Sequence, residues 1–354
     1  MPFSRFGPLY QYSLAKELYN EEIKVIFPRR LNKFPFLLPI SRNILRYKVK
    51  LLHMHWIDGY SGLSSRNRFK ALFKLFLFKI DINLAKYILN MKIVWTIHNL
   101  HSHECYYPHL EILSRKFFSK KVDAIICHCD YAKNEFQKKF GASQKKIYVI
   151  NIGNYHNRYK NEISMEKARE YLNIKRDQFI FLIFGPIRPY KGIINLINTF
   201  KEIRRKEKAK LMIVGNPVNK LLTTNIINRT KDNQNFILKF GFIPEDEIQI
   251  YINASDVVVF SYKKILTSAG ILLAMSFGKP IIAPRLGCIP ETLDEKGAFL
   301  YNSQENEGLA LAAEKAIDNK SKLKEMGKFN LDLAKKFDWK VIAKETKRIY
   351  NKIS

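Results

Sequence analysis

At 354 residues and 47% hydrophobic side chains, the chain is long enough for two domains with their own cores and too apolar for disorder. Its 61 Lys and Arg against 32 Asp and Glu leave a formal charge of +29, which suits nucleic acid, anionic lipid or a phosphorylated substrate, or else reflects a Lys-, Asn- and Ile-rich genome. No apolar run reaches the length of a membrane-spanning helix, the start MPFSRFGPLYQY lacks a secretory pattern, and Cys105, Cys127, Cys129 and Cys288 have no paired spacing, which suggests a reducing cytoplasm.

Gly7 to Asn20 has apolar and aromatic positions at helical spacing, and Ile23 to Phe27 (IKVIF) reads as a strand. Phe34 to Leu45 is interrupted by Pro35 and Pro39 and reads as loop with a short helix. Lys50 to Trp56 (KLLHMHW) is a strand end with His53 and His55 on one face. The loop IDGYSG that follows sits where ligands collect in open α/β sheets. No CxxC or HExxH pattern accompanies the two histidines, so no metal is assigned to them.

Ser65 to Ile80 (SRNRFKALFKLFLFKI) mixes Arg66, Arg68, Lys70, Lys74 and Lys79 with Phe69, Leu72, Phe73, Leu75, Phe76, Leu77 and Phe78. On a helix this is the composition of an interfacial membrane-binding segment; the plainer reading is a core-facing helix whose lysines snorkel. The wide apolar arc favours contact with an anionic membrane surface. Lys92 to His98 (KIVWTIH) is a buried strand running into the histidine-rich loop NLHSHECYYPH, whose His101, His103 and Glu104 are polar loop residues or, with Cys105, a zinc site of unfamiliar spacing. A helix over 110–120, a strand from Asp123 to Cys129, a helix from Tyr131 to Phe140 and a strand KIYVI from Lys146 complete an alternating pattern, hence a mainly parallel sheet.

The second half opens with a short helix from Met165 to Leu172. Phe179 to Phe200 (FIFLIFGPIRPYKGIINLINTF) then reads as strand, loop and helix, with Arg188 and Lys191 just before a helix N-terminus whose unpaired N–H groups and dipole favour an anion. That is either a phosphate or diphosphate site or a solvated turn with two surface charges. Strands at Ala209 to Val214 and FILKFG follow, and Pro244-Glu245-Asp246-Glu247 is expected to open a helix with acids in its first turn. Ser255 to Glu291 runs strand (DVVVF), loop (SYKKILTSAG), helix (ILLAMSF), Gly278-Lys279-Pro280, strand (IIA) and LGCIPE. Two last helices, about 307–318 and 321–337, lead into DWKVIAKETKRIYNKI. No zinc finger, RNA-recognition or basic-zipper pattern is present, so nucleic acid is not an expected partner, and no GxGxxG follows an early strand.

The two long stretches of the second half together resemble the nucleotide-sugar domain of GT-B glycosyltransferases of the family 4 type, on Gly185, the Arg188-Pro-Tyr-Lys191-Gly192 loop and the Ala274-Met-Ser-Phe-Gly-Lys-Pro-Ile-Ile-Ala283 segment. The resemblance implies an α/β GT-B fold with two Rossmann-like domains facing across a cleft: 1–156 for the acceptor, 157–337 for the nucleotide sugar, and a final helix over 338–354 returning to the first. The usual first strand has only MPFSRF in its place, so it is expected to be short, irregular or absent. Gly153-Asn154-Tyr155 resembles the family's interdomain crossing, with Ile152 where relatives commonly have histidine.

The implied activity is a metal-independent hexosyltransferase that moves sugar from a GDP- or UDP-sugar, with no other cofactor, to a lipid-linked saccharide. Retention is favoured and inversion is left open, with Glu104 or Asp58 as bases for the latter. The basic aromatic segment and the net charge make the expected place cytoplasmic, peripheral on the inner face of the membrane, in surface polysaccharide or glycan assembly. Thr96 and His98 match the family's Thr-x-His, which makes His98 a catalytic candidate beside Arg188 and Lys191. Donor binding falls to Gly185, Arg188, Lys191, Thr267, Ser268, Gly270 and Glu291. Family 4 members typically place glutamates where this chain has Ile265 and Leu273. Either the sugar and ribose are recognised otherwise, with Glu291 as a substitute or merely a helix cap, or the protein is an inactive binding protein on the same scaffold.

Overall fold

The computed structural model describes residues 8–28, 37–62, 65–102, 105–156, 158–203, 209–305 and 307–354. They form two compact units, 1–153 with 339–354, and 154–338.

In unit 1, α1 (Pro8–Asn20) and α2 (Pro39–Tyr47) precede β1 (Leu51–Met54), α3 (Arg68–Asn83), β2 (Lys92–Thr96), α4 (Pro108–Lys121), β3 (Ala124–Cys127), α5 (Asp130–Phe140) and β4 (Ile147–Val149). The strands lie in the order β1-β2-β3-β4, all parallel, with Leu51 opposite Lys92 and Val94 opposite Ala124. The helices between them are the crossovers that parallel pairing requires. The chain's last helix, α14 (Trp339–Ile353), belongs to this unit. Its Ile342, Ala343, Ile349 and Tyr350 share a core with Tyr10, Leu14 and Leu18 of α1, residues at helical spacing on both sides. Gly153 lies against Trp339 so closely that a Cβ would fall 2.2 Å from the indole.

Residues 23–27, expected as a strand, form none. The amide of Ile23 donates to the carbonyl of Leu18 at the end of α1, 2.8 Å away, so the segment begins as a helix stop rather than a sheet edge. Residues 1–7 lie outside the described residues, as do His103 and Glu104.

Unit 2 comprises α6 (Met165–Tyr171), β5 (Phe179–Phe184), α7 (Ile193–Glu202), β6 (Ala209–Gly215), α8 (Lys220–Thr230), β7 (Phe236–Phe240), α9 (Ile248–Ala254), β8 (Val257–Val259), α10 (Ala269–Ser276), β9 (Ile281–Pro284), α11 (Ile289–Thr292), β10 (Ala298–Tyr301), α12 (Gly308–Asp318) and α13 (Leu323–Lys335). Its six strands run parallel in the order β10-β9-β8-β5-β6-β7. Residues 179–183 of β5 are all buried, as a central parallel strand covered on both faces must be. The expected acidic first turn of α9 is displaced: residues 245–247 form a turn and the helix begins at Ile248.

Buried charges anchor the amino-terminal side of this sheet. Asp256 pairs with Arg169 at 2.6 Å and accepts from the amide of Ile180 at 2.6 Å. Lys279, in the Gly-Lys-Pro turn, donates to the carbonyls of Asn253 and Ser255 at the end of α9, 3.0 and 2.8 Å away. Burial pushes its ammonium down to about 8, with Asp256 acting against that shift. Its place is structural, tying the entry of β9 to a helix C-terminus.

Candidate active site

The chain fills the unit 2 sheet outward from β5 through β6 to β7, then returns to the other side of β5 with β8. In open parallel sheets that reversal leaves a crevice outside the carboxyl ends of the two strands. The loops after β5 and β8 meet there. Gly185 leaves β5 with φ +96°, and a Cβ on it would stand 3.5 Å from Nζ of Lys191. Lys191 is only 9% exposed and donates to the carbonyl of Phe184 at 3.3 Å. Burial, and then the neighbouring Arg188, pushes its ammonium down to about 8. A desolvated cation beside a second one is stabilised by an anion, and α7 begins directly after them.

The loop after β8 is fastened to this one. Ser261 Oγ donates to the carbonyl of Lys191 and the amide of Lys263 to that of Tyr190, both at 2.8 Å. The rings of Tyr190 and Tyr262 lie nearly parallel with centroids 6.1 Å apart. The hydroxyls of Tyr262 and Ser268 are 2.8 Å apart, and Ser268 caps α10 by accepting from the amide of Ile271 at 3.3 Å. Thr267 is half-buried just before the cap, and Gly270 lies in the helix's first turn, where a Cβ would meet Phe260 at 3.1 Å. From the end of β9, Cys288 donates its amide to the carbonyl of Leu266 at 2.8 Å, which brings exposed Glu291 of α11 to the same edge. Ile265 and Leu273 are half-buried, so the apolar side chains in the expected glutamate positions are part of this edge.

Gly185, Arg188, Lys191, Thr267, Ser268, Gly270 and Glu291 thus share the carboxyl edge of the unit 2 sheet, while His98 lies in unit 1 just past β2. Sequence reasoning missed what surrounds His98. Its Nε2 is 3.0 Å from Nδ1 of His55, and its Nδ1 is 3.2 Å from Nε2 of His128. His53, stacked on His55 at 4.4 Å, is held between Thr96 Oγ1 at 2.7 Å and the Tyr350 hydroxyl at 2.5 Å. The signal was present, since His55, His98 and His128 each fall one or two positions past a strand.

Two further candidates are spoken for. Asp58 is paired with Arg115 at 3.2 Å, and Arg115 also binds the buried Glu111 at 3.0 Å. Burial opposes the charge on Glu111, but Arg115, the amide of Ser102 and His101 outweigh it and hold the carboxyl below its usual range. His101 accordingly faces Glu111 at 3.1 Å and also contacts Lys139.

A doubly wound unit with cations and helix starts at its switch point, in one chain with a second parallel α/β unit, defines the Rossmann-type architecture of GT-B enzymes. The profile of glycosyl transferases group 1 matches residues 164–331, and that of glycosyltransferase family 4 matches residues 12–153. The chain belongs to the family 4 kind of GT-B glycosyltransferases. It is 29% identical over 126 residues to GDP-mannose:glycolipid 4-beta-D-mannosyltransferase of Xanthomonas campestris, a match covering 35% of this chain and 36% of that enzyme's length. It is 22% identical over 345 residues to the GPI3 subunit of phosphatidylinositol N-acetylglucosaminyltransferase of Saccharomyces cerevisiae, covering 96% and 71%. Among solved structures, Anabaena HepE in complex with UDP shares the fold with a TM-score of 0.69 at 18% identity, covering 88% of this chain and 81% of that one.

Proposed function

We propose that the protein transfers a sugar from a UDP- or GDP-sugar to a lipid-linked saccharide in surface polysaccharide or glycan assembly. The observation that carries this reading is the pair Arg188 and Lys191 at the switch point, the latter desolvated and followed at once by the start of α7. A leaving nucleoside diphosphate gathers negative charge on its β-phosphate, and preorganised cations and amides stabilise that charge without a metal. Thr267, Ser268 and Gly270 at the start of α10 supply the second set of amides. The names of the relatives support a glycolipid-type acceptor, and UDP in HepE supports a nucleotide donor. With Ile265 and Leu273 replacing acids, sugar and ribose recognition passes to other groups, of which Glu291 is the acid at this edge. Retention is the proposed course, and the anomeric configuration of the product checks it. Turnover and binding assayed across UDP- and GDP-sugars test the whole; neither with any donor would reject it.

The proposed workplace is the inner membrane surface. Among the described residues no helix is long and apolar enough to cross a membrane. Helix α3 has two apolar faces: Ala71, Leu75, Phe78 and Ile82 are buried, whereas Phe69, Leu72, Phe73, Phe76 and Ile80 are exposed, Phe69 to 84%. The buried face fits a core-facing helix, and the exposed face is what supports the proposed membrane contact. Exposed Arg66, Arg68 and Lys70 beside that second face suit anionic headgroups. Co-sedimentation with anionic vesicles at low salt tests this part, and absence of binding would remove it.

A further inference from the structure

Along the carboxyl edge of the unit 1 sheet three imidazoles stand in line, one following each of β1, β2 and β3. Their hydrogen bonds admit a single neutral proton pattern. A carbonyl oxygen only accepts, so Nδ1 of His128 must carry the proton it shares with the Ile150 carbonyl at 2.9 Å. Nε2 of His128 is then a lone pair, and Nδ1 of His98 donates to it at 3.2 Å. That leaves Nε2 of His98 to accept from Nδ1 of His55 at 3.0 Å. The row ends at Nε2 of His55, a buried atom without a hydrogen-bond partner among the described residues, on a side chain 2% exposed. Running the bonds the other way would put two protons on His128. Burial opposes that charge, pushing His128 down to about 4 and, helped by the neighbouring imidazoles, His55 and His98 well below the usual histidine range.

The rings are held as firmly as the protons. His98 stacks on Trp56 with centroids 4.3 Å apart, and Tyr10 of α1 stands edge-on to His55, His98 and His128 at 5.4, 4.8 and 5.5 Å.

We propose that His128 and His55 are positioning residues for His98: the Ile150 carbonyl, acting through His128, fixes His98 as its Nδ1–H tautomer and makes Nε2 its only basic nitrogen. While neutral, His98 then serves a reaction as a hydrogen-bond acceptor or base at Nε2, in exchange for His55, and not as an N–H donor. This rests on the transferase reading above, together with His98 as the catalytic candidate that its Thr-x-His match implies.

Long-range ¹H–¹⁵N spectra of the full-length protein with labelled histidine, recorded at neutral pH, read the tautomers directly. Nδ1–H on both His98 and His128 is expected. His128→Asn keeps an amide donor for Ile150 but deletes the link to His98. His98 should then populate its Nε2–H form, with kcat reduced about tenfold or more and KM for the donor unchanged. His128→Gln, which returns an acceptor near the lost Nε2, should restore the His98 tautomer and most of kcat. Nε2–H on His98 in the unaltered protein, or an unchanged His98 tautomer in folded His128→Asn, overturns the proposal. The expected pattern in a protein that turns over no nucleotide sugar supports the positioning row and overturns the transferase reading, so the two failures are distinguishable.

Discussion

Ser261 Oγ donates to the carbonyl of Lys191 across 2.8 Å, joining two loops 70 residues apart in the chain. Gly192, next to that carbonyl, has φ +69°, and a Cβ on it would fall 2.0 Å from the carbonyl oxygen of Ser261. Gly192→Ala should therefore cost about 1–3 kcal/mol from its left-handed backbone alone, with a further loss from the clash. Calorimetric unfolding should show the lower Tm, and nucleotide titration should show weakened binding, because the same contact sets the separation of the two loops.

Lys191→Ala and Arg188→Ala each remove a charge-assisted contact with the proposed diphosphate, worth about 1.5–3 kcal/mol. UDP or GDP affinity should fall about ten- to a hundredfold in either variant, read by isothermal titration. Ligand-induced elevation of Tm should shrink in parallel. Retained affinity in both variants would move the anion site elsewhere.

The depressed ammonium of Lys191 gives diphosphate binding a pH dependence of known sign. A bound anion raises the pKa of Lys191 above its ligand-free value of about 8, so binding takes up a proton where the free side chain has lost one. Affinity should be steady below about pH 7.5 and fall as pH rises through 8 to 9. Lys191→Arg, charged throughout that range, should flatten the profile. The same depressed pKa means the unfolded chain binds more protons between about pH 8 and 10, so this residue's contribution to stability increases as pH rises through that window.

Phe73 and Phe76 are exposed to 60% and 59% on the outer face of α3. Phe73→Asp with Phe76→Asp should leave Tm nearly unchanged, since neither side chain belongs to the core. Binding to anionic vesicles should drop about tenfold or more, as two apolar anchors are lost and two negative charges face the lipid. Transfer to a water-soluble acceptor should be spared.

Local pattern was sufficient wherever one segment contained its own reason. The run FIFLIF, its break at Gly185 and the helical spacing that resumes at Ile193 located the strand, turn and helix that hold Arg188 and Lys191. Ile23 to Phe27 misled because β-type composition cannot tell whether a ladder partner is present, and the amide of Ile23 closes α1 instead. The two-faced apolar character of α3 was equally ambiguous in one dimension, since burial of one face is decided by α2 and α4, which the segment does not contain.

Taken by itself, the order of residues determined the alternating α/β plan and the cationic turn before α7, because each depends on neighbours within a few positions. Only the tertiary structure decided that Ser261 locks Lys191, that Lys279 serves helix α9 rather than a ligand, and that three histidines separated by 43 and 30 residues in the chain form one hydrogen-bonded row. Parallel strands bring such residues together through long crossovers, and hydrogen bonds across those distances leave no periodicity in the sequence.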